Sequence, residues 1–196
     1  LHKVPVMAWA DFYNLPASLK GKVGMVDDLN AVFTTASAAL GKPLCDPRPE
    51  THKAIEALLQ RQKSWVLSYS AGGAAERMAA GDVAAQLGWY SFMHQATRKS
   101  NNLEYVLPEG PVYAWIGTFF IPRTARNVEG AKAFLDFMLR PEASGEFNSF
   151  TGYIPPVTGA EQFIGLPLQN SPDARAAKVR KLVFQRACLG DTAKVY

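Results

Sequence analysis

The side chains best suited to chemistry in this 196-residue sequence are aromatic. Trp89, Trp115 and Tyr153, with Tyr90 and Tyr113 beside them, fall where segments of strand character begin or end. In α/β folds ligand crevices lie outside the carboxyl ends of strands. Aromatic faces attract an organic ammonium through the ring quadrupole, and a carboxylate accepts its hydrogen bonds. Candidate acids are Asp27 and Asp28, which close the apolar run Val23 to Val26. Adjacent strand residues point to opposite faces, so at most one of them serves a given pocket. A single tryptophan is more often packing than recognition. Three aromatics placed together at strand ends point to a pocket.

Catalytic patterns are missing. His2, His52 and His94 stand beside no recognisable nucleophile, and each reads as an ordinary surface or satisfied residue. Ser70-Ala71-Gly72-Gly73 lacks the Lys and Ser/Thr of a phosphate loop and reads as a turn. Cys45 and Cys188 lie far apart without metal-ligand spacing. The expectation is a binding protein, not an enzyme, with no cofactor and no metal.

The elements that must position these residues alternate along the chain. Hydrophobic residues at 48% against charged residues at 19% exclude global disorder. Val112 to Ile121 is half the ~20 residues that a membrane-spanning helix needs, and Pro122 closes it. The net charge of +4 is scattered, and Arg175 to Arg186 reads as a solvated helix face, so no nucleic-acid partner is expected. Leu1 to Pro5 does not resemble a signal peptide, and opening on Leu1 suggests a mature, cleaved or partial product.

Apolar clusters switch between periods of 2 and 3.6, which predicts α/β. A strand over 21–28 precedes a helix carrying Leu29, Val32, Phe33, Ala36 and Leu40, ended by Gly41 and Pro43. A helix is expected over about 50–62 and a strand over 65–69. A short Ala-rich helix with Met78 follows. Strands are then expected over 83–89, 103–107 and 115–121. Asn127 to Leu139 is an amphipathic helix with Val128, Ala131, Phe134, Leu135 and Met138 inward, stopped by Arg140-Pro141. Gly152 to Pro156 is an extended loop, and a terminal helix starts near Asp173.

Read in order, these segments resemble the periplasmic solute-binding proteins of bacterial ABC importers, in the spermidine/putrescine-binding branch. The likeness is carried by Trp9-Ala10-Asp11-Phe12 with Leu19 to Val23, by Met25-Val26-Asp27-Asp28 and the helix after it, and by Gly81-Asp82-Val83 with Leu87-Gly88-Trp89. It continues through Leu107 to Gly110 with Trp115 and Ile121-Pro122, Ala131 to Pro141, and Thr151-Gly152-Tyr153 with Pro155-Pro156. It runs from Trp9 to Pro156, and more faintly to Phe184-Gln185. The resemblance implies a periplasmic location, the type II fold of periplasmic binding proteins with a mixed sheet flanked by helices, and two lobes that close on a solute and deliver it to a membrane permease. Carried over by position, Asp28 is the ammonium-binding carboxylate, Trp89 and Trp115 are aromatic walls, Gly117 and Tyr153 border the cleft, and Gln185 is a polar contact.

Two departures bear on the ligand. Polyamine-holding family members carry a Glu three residues after the Asp, where this chain has Ala31, and an Asp two residues after the crossover Trp, where it has Gly117. Both lost groups are carboxylates, and an unpaired buried ammonium is costly. The expected solute is therefore a smaller amine or an amino-acid-like molecule, cationic or zwitterionic, with Glu76, Glu104 and Glu109 as sources of compensating charge.

A third departure concerns extent. The sequence matches the family from the opening of its second lobe, so residues 1–113 with 157–196 are expected to form the C-terminal-type lobe and 114–156 a return segment of the other lobe. Phe119, Phe120, Phe134, Phe137 and Phe147 would then present an apolar patch to a missing half, or to a second copy in a swapped dimer. The alternative function is the ligand-sensing domain of a transcriptional regulator, which shares the design.

Overall fold

The computed structural model describes residues 6–110, 112–179 and 181–184. Three short parallel strands, β1 (Val23–Met25), β2 (Val66–Tyr69) and β3 (Ala85–Gln86), form a sheet in the order β2-β1-β3. The chain enters through α1 (Trp9–Phe12). Between β1 and β2 lie α2 (Leu29–Ala39) and α3 (Pro49–Gln62), and α4 (Ala74–Ala80) returns the chain to β3. This is the βαβ logic predicted from the alternating periods.

The core sits on the central strand. Val23 and Met25 are fully buried, and Val32 and Ala36 of α2 pack there with Ile55 and Leu58 of α3. On α3 the buried positions Thr51, Ile55, Leu58 and Gln62 follow helical spacing, so a single stripe faces inward. The turn before α3 is fixed by Asp46. Its carboxylate accepts from the Arg48 backbone N–H at 3.1 Å, Arg48 Nη2 at 2.6 Å and Thr51 Oγ1 at 2.8 Å. The Arg48 guanidinium holds the Asp46 carboxyl well below the usual carboxylate range. Cys45, beside it, has φ 54° and is disulfide-bonded. Cys188 lies outside the described residues.

After β3, α5 (Tyr90–Ala96) leads through an irregular stretch to β4 (Val112–Ala114). Two helices follow, α6 (Val128–Met138) and α7 (Pro141–Thr151), then α8 (Leu166–Gln169), α9 (Pro172–Val179) and β5 (Leu182–Phe184). β5 pairs with β4 in parallel, Val112 against Leu182, forming a second, two-stranded sheet. Every pairing among the described residues is parallel.

The sequence expectations fail where a strand has no neighbour. Residues 103–107 and 115–121 are not strands, although their composition suits one. A strand needs a ladder for its N–H and C=O groups, and no described segment supplies one there. The expected strand over 83–89 contracts to Ala85–Gln86. The helix expected over 127–139 is present as α6, capped by Asn127 Oδ1, which accepts the Gly130 N–H at 2.8 Å. Its expected inward face is not buried: among the described residues of α6 none is, and Phe134 is 53% exposed. Pro141 ends α6 as expected and also opens α7, since the missing N–H of proline costs nothing at a first helical position.

Candidate functional site

Both tryptophans emerge just past strand ends. Trp89 follows β3 closely and stands as the N-cap residue of α5, while Trp115 comes directly after β4. The two sheets thereby bring together rings that are remote in sequence. Trp89 and Trp115 meet edge to face, with centroids 5.5 Å apart and planes at 64°. Phe92, one turn into α5, buttresses Trp89 at 5.2 Å.

These rings line an open cavity of about 1720 Å³ that Gly117 and Tyr153 also border. The cavity reaches Trp9 and Phe12 of α1, Ala31 and Thr35 of α2, the 101–108 segment, and Phe147 of α7. A Cβ added at Gly117 would meet nothing within 4 Å, so the absent side chain leaves open volume. Within α1, Asp11 Oδ2 accepts the N–H groups of Met7 at 2.9 Å and Ala8 at 2.8 Å, and these bonds lower its pKa. They hold the segment that carries Trp9 and Phe12.

Tyr153 reaches the cavity from the loop after α7. Its hydroxyl accepts a hydrogen bond from Ser91 Oγ of α5 at 3.2 Å. The junction of α5 and α7 is close-packed at Gly152, where φ is 83° and an added Cβ would lie 2.9 Å from His94 Cβ. Only glycine satisfies both the left-handed backbone and that approach. His94 Nε2 lies 3.0 Å from the Ser149 carbonyl oxygen and adds a second tie between the helices.

Asp28 is placed differently. It leaves the end of β1, next to the end of β3 from which Trp89 departs, so both lie at the same end of neighbouring parallel strands. Its Oδ1 accepts the Ala31 N–H at 3.1 Å and caps α2. Asp28 is not among the residues lining the cavity, whereas Ala31, one turn further on, is. Asp27 accepts the Ala71 N–H at 3.0 Å and ties β1 to the turn after β2. Gln185 lies outside the described residues.

Of the other acids, Glu76 pairs with Lys99 at 2.8 Å, and Glu109 is outside the lining. Glu104 is the only charged residue among the described lining residues. Asn101 and Asn102 border the cavity beside it and were not foreseen. The signal available was their place in a polar stretch just before an extended, aromatic-bearing segment. No group of three or more His, Cys, Asp or Glu among the described residues could hold a metal ion.

Residues 1–176 match the model of a family described as bacterial extracellular solute-binding protein. The spermidine/putrescine-binding periplasmic protein 1 of Haemophilus influenzae is 29% identical over 194 residues, covering 96% of this chain and 52% of that protein. A putrescine/cadaverine-binding protein of Pseudomonas aeruginosa is 25% identical over 152 residues, covering 74% and 43%. Among solved structures, the Tp0655 (TpPotD) lipoprotein of Treponema pallidum superposes with a TM-score of 0.74 at 20% identity, covering 96% of this chain and 59% of that one. The substrate-binding protein PotD of a Streptococcus pneumoniae spermidine/putrescine ABC transporter gives 0.69 at 21% identity, covering 95% and 58%. The chain spans about half the length of the curated relatives it matches. These relatives are binding proteins rather than enzymes, the first of them periplasmic by name, and the solved structures share the α/β fold. The chain belongs to the bacterial extracellular solute-binding protein family.

Proposed function

We propose that this chain forms the solute-gripping part of the substrate-binding component of a periplasmic ABC importer and takes an amine-bearing organic solute, a polyamine-like molecule or a smaller amine or amino acid. The observation that carries this is the Trp89–Trp115 pair, 5.5 Å between ring centroids, at the wall of an open cavity. The indole faces in this corner provide the negative quadrupole surface that an ammonium group seeks. Trp89 and Trp115 act as aromatic walls, and Gly117 and Tyr153 border the solute.

Delivery to a membrane permease goes with the division into two lobes that we propose. Residues 1–113 with 157–196 form one lobe, and 114–156 belong to a second, whose closure traps the solute. Phe119, Phe120, Phe134, Phe137 and Phe147 are all exposed, as a face meant to be covered by more of the second lobe or by another copy would be. The disulfide at Cys45 favours the periplasm over the cytoplasmic location of a regulator's sensing domain.

The test is tryptophan fluorescence of the full chain titrated with 1,4-diaminobutane, butylamine and a set of amino acids. A saturable shift that is lost in both Trp89→Phe and Trp115→Phe is expected. No response to any amine or amino acid overturns the proposal.

A further inference from the structure

We infer that Glu104 supplies the negative charge that pairs with the ligand's ammonium group, taking the role that the resemblance gives to Asp28. This rests on the amine-binding reading above. A cation that leaves water for walls of indole, phenyl and aliphatic groups loses hydration, and only an acceptor, preferably an ionised one, compensates it. Among the described residues the cavity offers one carboxyl side chain, Glu104.

The other acids are engaged elsewhere. Asp28 Oδ1 caps α2, Asp27 accepts from Ala71, and Glu76 is paired with Lys99. The two positions where further carboxylates were expected are Ala31 and Gly117. Glu104 takes part in none of the four ion pairs among the described residues.

Its segment is built to present it. Burial alternates over 103–107, with Leu103, Tyr105 and Leu107 half-buried and Glu104 and Val106 exposed. The Tyr105 ring packs edge-on against Tyr90 at 5.3 Å, next in sequence to Trp89. The backbone that carries Glu104 is thereby anchored to the element that carries the aromatic wall, and the carboxylate is left at the open volume. With one charge among the described lining residues, the site has a carboxylate for one ammonium and, among those residues, no second carboxylate for a diamine.

The experiment titrates the full chain, followed by tryptophan fluorescence, with butylamine and 1,4-diaminobutane. The parent is compared with Glu104→Gln, Glu104→Asp, Asp28→Asn and Glu76→Gln. Glu104→Gln is expected to weaken both amines about tenfold to a hundredfold, the usual weight of a charge-assisted hydrogen bond. Glu104→Asp should restore most of the loss, and Asp28→Asn and Glu76→Gln should stay within about twofold of the parent. The parent should bind the two amines within about threefold of each other. Parent affinity retained in Glu104→Gln overturns the inference and leaves the amine-binding reading standing. A loss in Glu104→Gln accompanied by a lowered thermal midpoint also overturns it, because the effect is then structural. A parent that responds to no amine overturns both.

Discussion

Ser91 donates its hydroxyl proton to the hydroxyl oxygen of Tyr153 at 3.2 Å, joining a helix beside the first sheet to the loop after α7. Ser91 is 2% exposed, so the donor is fixed, and Tyr153 keeps its own proton to offer a bound solute. Ser91→Ala should therefore release the ring and weaken amine or amino-acid binding about threefold to tenfold, as the loss of one ordinary hydrogen bond does. A fluorescence titration checks this, and a zwitterionic solute, which carries an acceptor, should lose more than butylamine does.

Gly117 leaves room where a carboxylate can be added. Because an added Cβ meets nothing within 4 Å, Gly117→Asp should fold as the parent does and bring a second negative charge to the cavity. The expected outcome is a preference for 1,4-diaminobutane over butylamine that rises about tenfold, read from the two dissociation constants side by side. An unchanged ratio would show that the diamine's second ammonium does not reach this position.

Asp28 separates capping from recognition because asparagine caps a helix as well as aspartate does. Asp28→Asn should leave urea stability within a few tenths of a kcal/mol, while Asp28→Ala should cost about 1 kcal/mol through loss of the bond to the Ala31 N–H. Equal losses in both would point to a role for the charge itself at this position.

Acid should act on the turn before α3. The folded-state pKa of Asp46 is depressed, first by the hydrogen bond from the Arg48 side chain, so its contribution is present above the unfolded carboxylate value of 3.8. It is lost as the pH falls below that value toward the folded one. Thermal melts between pH 5 and pH 2 should show the midpoint falling less steeply in Asp46→Asn than in the parent.

The sequence was most legible where local chemistry and tertiary packing agree. The β1–α2 and α3–β2 units follow from hydrophobic periodicity, and Trp89 and Trp115 fall at strand ends because one closes and the other opens a segment of strand character. Their edge-to-face meeting was not readable, since it depends on β4 finding β5, a pairing that no local signal encodes. The 115–121 run shows the converse failure. Residues such as Phe119 and Phe120 have high strand propensity, yet without a neighbouring ladder propensity does not make a strand. The resemblance implies Asp28 for ammonium binding, and in the fold its Oδ1 accepts the Ala31 N–H at the start of α2. Glu104 carries no motif and stands in the sequence beside Glu76 and Glu109 as one of three sources of compensating charge, and only the traced cavity separates it from them.

The β4–β5 pairing links residues about seventy apart, Val112 with Leu182. During synthesis β1, β2 and β3 are all available to assemble long before β5 leaves the ribosome, so the segment bearing Trp115 must wait for a part of the polypeptide about seventy residues further on to secure it. Nascent chains stalled before Leu182 should therefore hold a completed first sheet and an unanchored crossover, and they would be the species most open to chaperone capture and proteolysis.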